Sequence, residues 1–206
     1  MNKLVIPQDT LTEHKKEWFE KINRKLDIGL RTGYLNGLKC SRKYEKYILS
    51  EIKKNLENIL IGEPCLLDDI RNKIEPFRKN LPKRSKLYDN ILPHIFNYSS
   101  FSKDGSDLNN PDRKLKWGAY KYIQSLGIRS CPYCNRQFTF SITVSRLKKD
   151  GKTLTLKTIK PELDHFFPKS KYPYLAISLY NLIPSDEVLF SGTPAEYDSL
   201  KINDIK

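Results

Sequence analysis

Residues 162–170 read Glu-Leu-Asp-His-Phe-Phe-Pro-Lys-Ser, which sets a carboxylate, Asp164, directly before an imidazole, His165, in an aromatic setting. A carboxylate can hold a divalent cation, and a neighbouring imidazole can take a proton from water near neutral pH. On these residues alone, an Asp and a His that merely end a strand remain the bland alternative. His165 is one of three histidines. The other two lie in helical sequence, where His14 reads as a solvated residue and His94 as a packing residue. Upstream stand Cys131, Pro132, Tyr133 and Cys134. Two thiols with two residues between them can chelate one metal ion from a tight turn, but they supply only half of a tetrahedral zinc site. The same four letters suit a redox dithiol when a helix follows directly and receives the first thiolate at its N-terminus. Here 136–142 reads as a strand, so the redox reading is the weaker one. Cys40 and Cys65 fall in helical stripes and read as buried, inert thiols.

Taken in order, these pieces resemble the HNH endonucleases. The pieces are the Cys131–Cys134 pair, a β-hairpin, Asp164 and His165, then Pro168, Lys169 and Ser170. Tyr172, Pro173, Leu175 and Ala176 follow, and then Asn181, Leu182, Pro184 and Ser185. The likeness is greatest to small HNH proteins of bacterial anti-phage systems, Septu-type and retron-associated nucleases among them. It covers about residues 128–185 and says nothing about 1–126. It implies a ββα-metal module in which His165 is the general base and Asp164 the metal-binding acid. Asn181 matches the central Asn, which orients the site or helps to hold the metal. Cys131 and Cys134 match the first half of a structural zinc knuckle. Lys169, with Lys171 beside it, stands where a basic side chain meets phosphate. The resemblance also implies a Mg2+ or Mn2+ cofactor, which suits carboxylate and amide oxygens. The substrate would be nucleic acid, DNA ahead of RNA, in anti-phage defence alongside a partner ATPase. In such a site His165 would deprotonate water for attack on phosphorus, and the cation on Asp164 would offset the charge that develops.

After Ser185 the chain departs from that pattern. Where the family supplies a second cysteine pair and a further polar ligand, this sequence has Asp186, Glu187, Val188, Leu189 and Phe190. Asp186 and Leu189 take the cysteine positions, and Phe190 stands near that of the ligand. Zn2+ is therefore expected only at a half-built site, and Asp186 or Glu187 is a candidate for the last catalytic metal ligand. This departure defines the alternative reading, a catalytically degenerate HNH-derived protein that binds nucleic acid or a partner.

The elements that must position these residues are visible in the periodicity. Leu11, Phe19, Ile22 and Leu26 mark one helix, and Tyr44, Tyr47, Ile48, Ile52, Leu56 and Ile59 mark a longer stripe ended by Gly62 and Pro64. A shorter helix over 68–77 is interrupted by Pro76. Leu87, Ile91, Ile95 and Tyr98 continue the pattern, 99–111 reads as a loop, and Leu115, Ala119, Tyr122, Ile123 and Leu126 mark a last helix capped by Gly127. Beyond Gly127, the alternating runs 138–144 and 153–159 flank an Asp-Gly turn, a strong hairpin signal. A short helix is expected around 175–179. The expected fold is α+β. A basic, mainly helical region over 1–126 precedes an HNH-like ββα-metal module over 127–206 with an atypical tail.

Charge follows the same division. The 206 residues carry 37 Lys and Arg against 24 Asp and Glu, a net of +13. Residues 161–206 hold four lysines against seven acids, a net of −3, which leaves +16 on residues 1–160. Such a surplus favours polyanions, nucleic acid first. With 38% apolar residues the chain can build a core. The sequence shows neither a membrane-spanning run nor an N-terminal signal pattern, so a cytoplasmic protein is expected.

Overall fold

A computed structural model of the chain describes residues 4–103, 117–133, 135, 139, 142–147, 153–159 and 161–185. The first helical stripe becomes α1 (Gln8–Thr32), which buries Leu11, His14, Trp18, Ile22 and Leu26 along one face. Gly33, at φ 73°, closes it by donating its N–H to Gly29 O at 2.9 Å. A tight hairpin, β1 (Tyr34–Leu35) and β2 (Leu38–Lys39), leads to α2 (Lys43–Lys54). The stripe expected to run on through Ile59 breaks at Asn55, whose φ and ψ of −104° and 14° leave the helical region. Its side-chain amide donates to Glu51 O at 2.8 Å, offering the backbone a local alternative to the helix ladder. α3 (Leu56–Ile61) resumes beyond it.

Pro64 both follows one helix and starts the next, α4 (Pro64–Arg78), where a first-turn proline lacks only an N–H that would be unpaired anyway. Pro76 lies in the last turn of α4, so it shortens the helix rather than splitting it. The stripe from Leu87 to Tyr98 also divides. A π-helical turn (Leu87–Ile91) runs into α5 (Leu92–Ile95), with Pro93 near its start, and α6 (Tyr98–Lys103) follows. The helix α6 occupies the first part of the expected 99–111 loop; 104–111 lie outside the described residues. α7 (Ala119–Leu126) stops at Gly127, whose φ of 61° is the left-handed cap the sequence calls for.

Beyond Gly127 the chain turns to strands, as the alternation predicts. β3 (Ile142–Leu147) pairs antiparallel with β4 (Thr153–Ile159), from Ile142↔Ile159 to Leu147↔Thr153, with an irregularity between Val144 and Ser145. The first strand begins at Ile142 among the described residues, and the Asp150-Gly151 turn lies outside them. β5 (Glu162–His165) pairs antiparallel with β6 (Leu182–Ser185), and their connection holds two 3-10 turns, Pro173–Leu175 and Leu179–Asn181, where a short helix was expected. The protein is thus α+β, with three two-stranded antiparallel sheets among the described residues. One apolar cluster joins the helices, through Ile22, Leu26, Ile48, Phe96, Phe101 and Tyr122, to Leu163, Tyr174, Leu175, Ile177 and Leu182 of the β5–β6 unit. No described helix is long and apolar enough to cross a membrane.

Candidate functional site

Asp164 and His165 sit at the end of β5, facing Ile183 and Leu182 of β6. Strand alternation turns Leu163 into the core at 5% exposure, while Asp164 and His165 are half-buried. His165 is held from two sides. Its Nε2–H donates to the carbonyl of Ala176 at 3.0 Å. A carbonyl only accepts, so the neutral ring carries its proton on Nε2 and leaves the Nδ1 lone pair free. The Tyr98 ring from α6 meets the imidazole edge-on, with centroids 4.5 Å apart. Burial pushes the imidazole down to about 4, against the Ala176 hydrogen bond; the Lys169 ammonium nearby lowers it further. The ring is therefore neutral at pH 7, with Nδ1 its unprotonated nitrogen, and the same burial makes it a weaker base than a free imidazole.

Lys169 is exposed, and its ammonium stands 4.4 Å from the centroid of the same Tyr98 ring. Burial, then the charges of Glu162 and Asp164, pushes the Tyr98 hydroxyl up to about 12 against a hydrogen bond with Ser102, so this phenol stays protonated. Tyr98 is the residue that collects the site, touching His165 and Lys169 and lying within reach of both acids. Its sequence signal was only that of an aromatic in a helical stripe, where core packing is the ordinary reading. Tyr133 is a second residue that spacing did not single out. Its hydroxyl donates to Asp164 Oδ2 at 3.0 Å, tying the cysteine turn to the candidate acid.

Asn181 is brought to the same unit but not to the same surface. Its side chain is fully buried. Oδ1 accepts the Phe167 N–H at 2.6 Å, and Nδ2 donates to Phe167 O at 3.1 Å and Leu175 O at 2.9 Å. Asn181 thus clamps the 166–181 connection upon itself, and both amide donors are spent on backbone. The Phe166 N–H donates to Asn181 O at 3.0 Å and extends the strand pairing into the connection. Of the two roles the resemblance leaves open for Asn181, orientation is the one this geometry serves.

The connection that carries these groups is fastened to the helices by polar contacts. Tyr122 of α7 donates its hydroxyl to Leu179 O at 2.8 Å and to Leu182 O at 2.9 Å. From α4, Arg78 donates to Lys171 O at 2.7 Å and Arg71 to the Tyr172 hydroxyl at 3.3 Å. Glu75, also on α4, accepts the hydroxyls of Tyr174 and Tyr88, each at 3.1 Å. Burial and that carboxylate push both phenols well above their ordinary range, so they remain donors. From α1, His14 donates Nε2–H to Ile177 O at 2.9 Å and accepts the Trp117 indole N–H on Nδ1 at 2.9 Å.

His14 and His94 exchange the roles their sequence suggested. His14 is fully buried, because it falls on the same α1 face as Leu11, Trp18 and Ile22. His94 is exposed, because Leu92 and Ile95 take the inward face of α5. Cys40 is buried as expected, whereas Cys65 is exposed in the first turn of α4, where Leu67 is the first side chain to enter the core.

Cys131 is fully buried at the foot of a tight turn. Asn135, at a left-handed φ of 53°, donates its N–H to Cys131 O at 2.8 Å, and the Ser130 hydroxyl donates to Asn135 Oδ1 at 2.7 Å. Cys134, Asp186 and Glu187 lie outside the described residues. Among the described residues, no three His, Cys, Asp or Glu side chains gather as a metal-binding group. Asp164 keeps Oδ1 beyond its bond to Tyr133, a donor of the hard type that Mg2+ and Mn2+ take in combination with water and substrate phosphate. Lys171 is exposed, its ammonium 5.4 Å from the Tyr172 ring centroid. Comparison with protein-family models, with curated proteins and with solved structures finds no match.

Proposed function

We propose that this protein is a metal-dependent endonuclease of the HNH type, hydrolysing phosphodiester bonds of nucleic acid, DNA ahead of RNA. The observation that carries the reading is the state of His165: a neutral imidazole with its Nε2 proton committed to the Ala176 carbonyl and Nδ1 unclaimed by that bond, one residue from a half-buried carboxylate. A general base needs a free lone pair held in fixed orientation, and this ring has both. His165 Nδ1 accepts a proton from the attacking water. Asp164 would hold Mg2+ or Mn2+, which supplies positive charge against the phosphate when bound. Lys169 adds a fixed cation beside the base, held over Tyr98. Asn181 is a positioning residue that keeps the connection, and with it the Ala176 carbonyl, in register with β5. A setting in anti-phage defence, with a partner ATPase, accompanies this reading through the family resemblance alone.

The second reading, a nucleic-acid-binding protein without cleavage, is favoured by the departure over 186–190. Incubation of plasmid DNA and total RNA with the protein and Mg2+, Mn2+ or chelator separates the two. The nuclease reading expects metal-dependent cleavage that His165→Ala abolishes while binding is retained. Wild-type protein that binds both polymers and cuts neither with either ion would establish the second reading.

A further inference from the structure

We propose that the segment 78–86, together with the exposed face of α2, is a docking track for single-stranded nucleic acid. The proposal rests on the nuclease reading only for where the track leads, which is the His165 end of the β5–β6 unit. Residues 78–86 contain five cations, Arg78, Lys79, Lys83, Arg84 and Lys86, and no acid. All but Arg78 are exposed. The segment is ordered by its own turns, with the Asn80 N–H donating to Phe77 O at 3.1 Å, Leu81 to Arg78 O at 3.0 Å and Ser85 to Pro82 O at 2.8 Å. It is also pinned at both ends. Arg78 donates to Lys171 O at 2.7 Å, and the Ser85 hydroxyl donates to Glu45 Oε1 at 2.7 Å. The cations are thereby strapped between α2 and the connection that bears Lys169, Lys171 and the Ala176 carbonyl.

Two further observations set this surface apart from an ordinary solvated helix face. Of the two carboxylates on α2, Glu45 is fully buried and already satisfied by the Arg42 backbone N–H, the Arg42 guanidinium and Ser85. Glu51, one turn beyond Tyr47, is mostly covered and paired with Lys54 at 2.7 Å, so neither does much to oppose an anion outside. Beside the strap, Tyr47 remains 39% exposed although its ring lies on Phe77 with centroids 4.1 Å apart. Lys43 and Lys46, both exposed, flank it on α2. A braced aromatic ring among ordered cations is what single-strand sites combine, the cations following the phosphates and the ring taking a base. A duplex keeps its bases stacked and offers Tyr47 no such partner.

The test is fluorescence anisotropy with the full-length protein and a labelled single-stranded DNA oligonucleotide, the same sequence as duplex, and vesicles containing phosphatidylserine. Lys83→Ala/Arg84→Ala/Lys86→Ala should make the logarithmic salt slope of single-strand affinity shallower by about 2, at roughly 0.7 per lost phosphate contact. Lys16→Ala/Arg24→Ala/Arg31→Ala, an equal charge removed from exposed positions on α1, should leave the slope within error of wild type. Tyr47→Ala should weaken single-strand binding by about tenfold and duplex binding far less. Equal slopes in the two triple variants, no effect of Tyr47→Ala, or binding to vesicles alone would each overturn the proposal. Cleavage assays on the same proteins keep the two readings apart. A strap variant that binds normally alongside active wild-type enzyme sinks the track and leaves the nuclease. Strap-dependent binding without any cleavage does the reverse.

Discussion

The Tyr133 hydroxyl donates to Asp164 Oδ2 at 3.0 Å, so a residue lying between the two cysteines orients the candidate metal-binding acid. The bond joins a tight turn that Asn135 closes to the end of β5. Tyr133→Phe removes the donor and keeps the ring. The expected outcome is a several-fold rise in the Mn2+ concentration that gives half-maximal cleavage, with little change in melting temperature, because an exchange at one half-buried hydrogen bond is worth only about 1 kcal/mol. A metal titration of cleavage, run beside a thermal melt, checks it; an unchanged midpoint would show that Asp164 needs no such orientation.

Asn181 makes three hydrogen bonds with one fully buried side chain. Asn181→Ala leaves the Phe167 N–H and two carbonyls without these partners inside the core, at an expected cost of about 2–4 kcal/mol. Denaturant unfolding measures that loss. At temperatures where the variant is still folded, cleavage should fall through kcat while the metal midpoint stays near that of wild type, since the amide faces backbone. A raised metal midpoint with normal stability would instead make Asn181 a ligand.

His14 gives the fold a defined response to acid. Burial pushes its imidazole from 6.5 down to about 3, against the Ile177 hydrogen bond. The unfolded chain therefore binds a proton that the folded chain refuses between those two values. Stability from this group is complete above about pH 6.5 and falls as pH drops toward 3, by about 1.4 kcal/mol per pH unit within the window. His14→Gln lacks the titration. Its unfolding free energy between pH 6.5 and 4.5 should fall less steeply than that of wild type, and parallel curves would refute this assignment.

How much of this was readable in the sequence depends on whether a feature is local. The end of α7 at Gly127 is local, because a left-handed cap needs a glycine, and the sequence reveals it. So are the β3–β4 pairing and the neighbouring placement of Asp164 and His165 in sequence. The breaks at Asn55 and around the π-helical turn escaped, because side-chain amides and a second-position proline interrupt a stripe whose apolar spacing runs on. His14 was misread although it shares spacing with Leu11, Trp18 and Ile22, since polar character outweighed position. Tyr98 and Tyr133 could not be found at all from spacing. Each acts on β5 from a distant part of the chain, and nothing local to either residue records the contact.

Tyr98 is where that long-range dependence is most open to measurement. Its ring contacts the His165 edge and carries the Lys169 ammonium, while its hydroxyl is engaged by Ser102 of the same helix and, at a long 3.4 Å, by Leu163 O. The ring, not the hydroxyl, should therefore matter to the site. Tyr98→Phe keeps both ring contacts and is expected to cleave within about twofold of wild type, the lost hydroxyl contacts to Ser102 and Leu163 O costing stability by about 1 kcal/mol each rather than disturbing the base. Tyr98→Leu preserves apolar bulk but removes the aromatic face, releasing His165 on one side and Lys169 altogether. Cleavage by this variant should drop about tenfold or more in kcat, as expected when a general base loses its fixed orientation. Nitrogen NMR of labelled histidine supplies a readout that a loss of stability would not move. Wild type and Tyr98→Phe should report His165 as the Nε2–H tautomer, and Tyr98→Leu should show a mixture of the two neutral forms. A single tautomer and full activity in Tyr98→Leu would mean that the Ala176 carbonyl alone fixes the ring.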